Sequence, residues 1–555
     1  MPWYPERSLE PPVSRPVDLV VSARRIITLD PALPQAESMA VDAGRILALG
    51  SRDEIGEAFS PRRRLDFGDG VAYPGFMDPH CHFLSYGLIL QRAWLFEANS
   101  WEETVALLAA HRGRLRASEP GGVDASGAGA IGAPRWIQGR GWDQNRWEGR
   151  RFPTRELLDR AFPDEPVLAI RVDGHAAMAN AKALEAAGIG PATRVEGGTV
   201  VLSEGVPTGL LLDNAVDLVK HAIPQPDEAT MRRALSEAQE KCLAVGLTAV
   251  SNAGTERREA LLMRAMQDSG ALRLGLYVML MPTDENIAEF AAAGPIATER
   301  MSIRSFKMFA DGALGSRGAR LLEPYADDPD NFGLFTLDPA ELDRVCGIAA
   351  SRGFQMNVHA IGDAAARLVL DAYERRLAPG NGLRWRIEHA QLIHDDDLAR
   401  FRALGVIPSV QTTHATSDMA WTEDRLGAAR MERSHRYRDL LAQNGWLANG
   451  SDFPIEGIDP LRGFRAAAFR TSDKGLPKGG YRPGQAISRL DALRAMTLWA
   501  ARANFEEGLR GSLQPGKLAD FTVLDVDLLE DPEERIREAR VLATGIGGDV
   551  AYCRG

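Results

Sequence analysis

The chain has 555 residues, 45% of them hydrophobic and 25% charged, with a formal net charge of −11. That length exceeds one ordinary domain, and the composition is that of a folded globular protein with a sizeable core. An acidic chain is a poor non-specific binder of nucleic acid, so no nucleic-acid partner is expected. The four cysteines, Cys81, Cys242, Cys346 and Cys553, are far apart and form no CxxC pair. Neither a zinc ribbon nor a disulfide framework is indicated, which fits a reducing compartment. The start, Met1 to Arg7, is polar and proline-rich, and no run of ~18 apolar residues occurs. The expectation is a cytoplasmic protein with no membrane partner.

Residues 1–16 read as a loose arm. Short strands follow over 17–21 and 26–29, then a hairpin of 38–41 and 46–50 around the turn Asp42-Ala43-Gly44-Arg45. So small a β unit needs partners to bury a face. Candidates lie at the far end, over 521–525, 541–546 and 549–552. The two ends, 1–73 and 500–555, are therefore expected to build one small β-sandwich domain. Between them, apolar β-branched runs that end in polar residues recur eight times: 71–82, 247–251, 272–280, 303–309, 354–359, 385–389, 406–410 and 446–451. Helical stretches such as 228–245, 257–269, 339–352 and 364–376 separate most of them. This alternation predicts an α/β fold, a (β/α)8 TIM barrel over 74–499. No GxGxxG follows the first strand, which argues against a doubly wound dinucleotide fold. The interval of about 95–235 is too long for one connection and predicts an inserted subdomain near the barrel mouth.

Functional groups of such a barrel sit at the carboxyl ends of its strands. The first run delivers His80 and His82, which share a face of a strand because side chains alternate. The fourth delivers Lys307, the fifth His359, the sixth His389 and the eighth Asp452. Taken singly, each has an ordinary reading: a core histidine, a lysine paired with Asp311, a turn aspartate before Pro454. Taken together they form a nearly complete binuclear metal set. A lysine buried among apolar residues loses its charge, and a neutral amine takes up carbon dioxide as a carbamate whose two oxygens can bridge two cations.

These motifs resemble the amidohydrolase superfamily, and within it the amidohydrolase-3 branch of YtcJ-like proteins and N-substituted formamide deformylases. The carriers are Pro74-Gly75-Phe76-Met77-Asp78 leading to His80 and His82, Asp173-Gly174-His175 with Asn180, and Lys307-Met308-Phe309-Ala310-Asp311-Gly312. To these add His359-Ala360-Ile361-Gly362-Asp363, Glu388-His389-Ala390, Gly450-Ser451-Asp452 and Gly516-Lys517-Leu518-Ala519-Asp520. The resemblance implies two divalent ions, with zinc favoured over manganese or iron. His80 and His82 would hold one, with Asp452 beside it, and His359 and His389 the other, with carboxylated Lys307 as the bridge. It implies hydrolysis of a C–N bond, amide or N-formyl in type, of a small-molecule substrate by a metal-activated hydroxide, with Asp452 as general base. A cyclic amide, imine or ester hydrolase, a deaminase, or an inactive metal-binding barrel remain alternatives. A homodimer is the default oligomer.

One departure from the family pattern falls after the second run, where Ser251-Asn252 replaces a frequent His-Asp pair. Candidate substrate contacts are Trp142 and Asp143, His175, Arg317 and His414. Each has a structural alternative: a packed loop for Trp142 and Asp143, a hydrogen bond for His175, a loop anchor to Asp311 for Arg317, and a solvated loop for His414.

Overall fold

The computed structural model describes residues 14–117, 136–172, 174–195 and 197–554. Asp173, most of the arm over 1–16 and the Gly/Ala/Ser patch over 121–133 lie outside the described residues. The chain forms two compact units, Met1–Tyr86 with Leu235–Gly555, and Gly87–Ala234.

In the larger unit, eight parallel strands follow one another in chain order: β1 (Phe76–Cys81), β2 (Leu247–Thr255), β3 (Gly275–Leu280), β4 (Met301–Phe309), β5 (Gln355–Ala360), β6 (Arg386–His389), β7 (Ile407–Val410) and β8 (Ala448–Asn449). Each of the eight predicted runs supplies one of them. A parallel sheet covered by crossover helices buries both faces, and every residue of β3, β6 and β7 is buried. The helices start and stop where their sequences dictate. In Pro339–Arg352, the Asp338 side chain accepts from the Ala340 N–H, Pro339 opens the first turn, and Gly353 ends it at φ 74°.

The sheet is nearly closed, and irregular bonds rather than a ladder bring β8 to β1. The Asp452 N–H donates to the His80 carbonyl and the His82 N–H to the Phe453 carbonyl, both at 2.8 Å. The Asp78 carboxylate accepts from the Ser451 hydroxyl at 2.6 Å and from the Ser451 N–H at 3.1 Å. The seam of the barrel thus runs through the His80 segment itself.

The chain ends contribute to one eight-stranded sheet. Its order is Asp549–Cys553, Val541–Ile546, Phe521–Leu524, Val71–Pro74, Arg15–Ile27, Gln35–Asp42, Arg45–Gly50, with Phe59–Asp66 also paired to Arg15–Ile27. Leu19, Val21, Met39 and Val41 from one end share a core with Phe521, Val523 and Ala543 from the other. This sheet belongs to the same compact unit as the barrel; its strands form one hydrogen-bonded sheet. The expected hairpin is present, with Val41 opposite Ile46. Its turn carries Ala43 at φ 48° and Gly44 at φ 75°, the paired positive angles that match a tight turn to strand twist. The first predicted run divides at Gly75: Val71–Pro74 pairs with Phe521–Leu524 in the terminal sheet, and Phe76 begins the barrel.

The second unit holds a six-stranded sheet in the order Gly198–Ser203, Val206–Asp213, Ala176–Ala179, Val167–Arg171, Ile137–Trp142, Ala93–Trp94. Trp101, Leu108, Trp142, Trp147 and Val167 fill one side of it.

Candidate metal centre

The carboxyl ends of β1, β4, β5, β6 and β8 bring the predicted ligands together. His80 is fully buried, and its Nδ1 lies 2.5 Å from Glu388 Oε2. His82 Nδ1 lies 3.1 Å from the Ala253 carbonyl. Both rings therefore spend a proton on a protein acceptor at Nδ1, which leaves Nε2 as the donor nitrogen. Those nitrogens converge on Asp452 Oδ1, at 3.5 Å from His80 and 3.2 Å from His82. Burial, and behind it the nearby Lys307, lower the His80 pKa, so its Nε2 is a lone-pair donor that faces a carboxylate.

His389 packs against the rings of His359, His80 and His414, at centroid distances of 4.4, 5.1 and 5.8 Å. Burial, followed by the proximity of His359, His80, Lys307 and His414, pushes its pKa well below the ordinary value. His359 sets its Nε2 3.4 Å from both the Gly312 carbonyl and Asp311 Oδ1, which leaves Nδ1 as its free donor. Lys307 is buried at 0% exposure, with its amine 4.8 Å from the Phe309 ring centroid. Desolvation lowers its pKa to about 8, against the pull of Glu388 and Asp452. Asp452 has φ 61° and His389 φ 73°, a left-handed conformation that non-glycine residues adopt where a site holds them. Burial alone would raise the Asp452 pKa, but the nearby His82, His80 and His414 outweigh it and hold the carboxyl well below the usual range.

The donor set fits a divalent cation. His80 Nε2, His389 Nδ1, Lys307 Nζ, Asp452 Oδ1 and His414 Nε2 are all buried without a hydrogen-bond partner in the protein. Ligand atoms of His80, His389 and Asp452 lie within 4.8 Å of one another. Each such orphan costs about 1–3 kcal/mol, and a cation among imidazole and carboxylate donors satisfies several at once. Lys307 does not pair with Asp311, whose carboxylate instead accepts from the backbone N–H groups of Arg320, Ile361 and Gly362.

The remaining candidates divide. His414, at the start of the helix Thr412–Ser417 after β7, joins the centre with Nε2 3.9 Å from Asp452 Oδ2. Arg317 forms a fork to Asp327, at 3.1 and 2.8 Å, so its loop anchor is Asp327 and not Asp311. Trp142 has 0% exposure, donates from Nε1 to the Ala169 carbonyl and stacks on Trp147; it is core of its own unit. Asp143 accepts from Asn145 N–H and pairs with Arg171 at 2.8 Å, which also makes it a loop-building residue. His175 is exposed and stands 3.2 Å from Asp213 Oδ1. Cys81 is buried with Sγ on the Ser251 carbonyl, as core packing requires.

Two functional carboxylates escaped the sequence reading. Glu388 faces His80 although it adjoins His389 on the same strand. Strict alternation would send such neighbours to opposite faces, and the positive φ at His389 is what breaks it. Asp78 holds the β1–β8 seam; the only signal for it was its place in the Pro74-to-His82 motif.

An eight-strand barrel with this donor set at its carboxyl ends defines a metal-dependent hydrolase scaffold. The amidohydrolase family model matches residues 65–552, and the chain belongs to that family. It is 33% identical to the protein LONG AFTER FAR-RED 3 of Arabidopsis thaliana, over 99% of this chain and 94% of that one. It is 30% identical to the putative amidohydrolase YtcJ of Bacillus subtilis strain 168, over 93% and 96%. To the N-substituted formamide deformylase of Arthrobacter pascens it is 26% identical, over 97% and 98%. Among solved structures, an uncharacterized metal-dependent hydrolase from Pyrococcus horikoshii OT3 superposes with a TM-score of 0.76 at 28% identity, covering 93% of this chain and 99% of that one.

Proposed function

We propose that this amidohydrolase hydrolyses a C–N bond, amide or N-formyl in type, of a small molecule. The observation that carries the reading is the convergence of His80 Nε2, His389 Nδ1, Lys307 Nζ and Asp452 Oδ1, buried and unpartnered, at the strand ends. His80 and His82 would hold one divalent ion and His359 and His389 a second, with Lys307, carboxylated, between them. Imidazole donors favour zinc, with manganese and iron as competitors. When bound, such ions polarise a carbonyl and lower the pKa of water. The chain's own residues do the rest. Asp452, kept ionised by its imidazole neighbours, accepts the proton released as the nucleophile forms and returns it to the leaving nitrogen. His414 stands beside Asp452 on the side away from β1's histidines and contacts the substrate. The names of the Bacillus and Arthrobacter relatives support C–N chemistry. A panel of N-formyl, N-acyl and cyclic amides, esters and amino-heterocycles offered to zinc- and manganese-loaded protein tests it. Turnover of the acyclic members is expected, whereas turnover confined to esters or to amino-heterocycles would replace this reading with an esterase or deaminase.

A further inference from the structure

Glu388 touches a candidate ligand histidine, His80, more closely than Asp311 touches His359, and is not itself a ligand candidate. It reaches from β6 to β1, between residues 308 positions apart in the chain, and both partners are buried. Burying charged groups is costly, and replacing a whole buried ion pair with apolar residues is often neutral or stabilising. Glu388 Oε1 has no hydrogen-bond partner, so stability alone does not account for it.

What surrounds it is an ordered chain of buried polar groups. Arg386, two residues earlier on β6 and fully buried, sets Nη1 4.0 Å from Glu388 Oε1. The same guanidinium donates to the Pro79 carbonyl at 3.2 Å, to the Ala503 carbonyl at 2.8 Å and to Asn504 Oδ1 at 2.7 Å. Asn504 Nδ2 donates in turn to the Ser251 hydroxyl at 3.1 Å. Ser251 is the position where this chain departs from the family's frequent histidine. Arg386 thus grips the backbone next to His80 while its neighbour Glu388 grips the His80 ring.

We propose that Glu388 is a positioning residue for the cation site: backed by Arg386, its carboxylate holds the His80 Nδ1–H and so presents Nε2 toward Asp452 as the donor atom. This rests on the metal-binding reading above. An ionised partner at Nδ1 also makes the imidazole a stronger donor, and loss of such partners typically lowers metal affinity about 10- to 100-fold.

The test compares wild type with Glu388→Gln, which keeps the volume and an acceptor oxygen, and Glu388→Ala, which keeps neither. Zinc affinity is read by competition against a chromophoric chelator, and folding by near-UV circular dichroism and apo thermal midpoint. The downfield proton spectrum of the metal-free protein reports the His80 Nδ1–H. The expected result is an exchange-protected downfield imidazole proton in wild type that is lost in Glu388→Ala. Zinc affinity should fall about 10- to 100-fold in folded Glu388→Ala and much less in Glu388→Gln. A folded Glu388→Ala that binds zinc as tightly as wild type would overturn the positioning role and leave the metal site standing. Equal losses in both variants, in step with falling apo midpoints, would reduce Glu388 to a structural residue. A wild type that binds no divalent ion would overturn both readings.

Discussion

Lys307 sits two residues before the end of β4 with a buried amine that meets no hydrogen-bond partner in the protein. Desolvation has brought its pKa to about 8, so the neutral fraction grows as pH rises through that value. Uptake of 13C-labelled bicarbonate by metal-free protein should follow the same curve, with a carbamate carbon signal stronger at pH 9 than at pH 7. In Lys307→Ala the signal should vanish, the second equivalent of metal should be lost, and hydrolysis should fall to background. Full activity in that variant would contradict the bridging role. Asp452 is buried too, but its neighbours push its carboxyl the opposite way, toward the charged form. Asp452→Asn keeps the shape and an oxygen donor, so it should retain much of the metal while turnover drops by roughly 10²–10⁴. A parallel loss of metal and activity would make Asp452 a ligand only.

At the level of elements, β1 does two jobs. It carries His80 and leads directly into His82, and it is the strand at which the barrel closes on β8. Gly75 stands at the handover from the terminal sheet, its N–H on the Asp520 carbonyl, and a Cβ there would fall inside contact distance of the Thr248 side chain. Thr248 is itself fixed, with its hydroxyl 3.2 Å from the Phe76 carbonyl. Gly75→Ala should therefore cost about 1–3 kcal/mol by overpacking, read as a lower denaturant midpoint, and Thr248→Ala in the same chain should recover part of it. An unchanged midpoint in Gly75→Ala would show that the handover yields freely. The eight barrel strands were legible because each is a short apolar run closed by a polar residue. The Phe59–Asp66 strand was not. Its sequence, with Pro61 and the arginines 62–64, is mostly exposed, and proline and charge are what keep a strand edge from pairing further. Such a segment carries no hydrophobic period to read. The candidate ligands were legible because they sit at or just past strand ends; the contacts of Glu388 and Asp78 were not, because their partners, His80 and Ser451, are brought near only by the nearly closed sheet.

For the whole molecule, the chain ends and the barrel form one compact unit, and residues 87–234 another. Among the described residues no helix is long and apolar enough to cross a membrane. Membership of the amidohydrolase family follows from the match over 65–552, whereas the reaction follows only if the orphaned donors of β1, β4, β6 and β8 hold metal. That dependence is open to one direct measurement: elemental analysis of the purified protein, followed by chelation, reconstitution and assay on N-formyl and N-acyl amides. A metal-dependent amidohydrolase should carry about one to two equivalents of divalent metal, lose hydrolysis with the chelator and regain it with zinc or manganese. Less than about one equivalent of metal, with no hydrolysis after reconstitution, would contradict it.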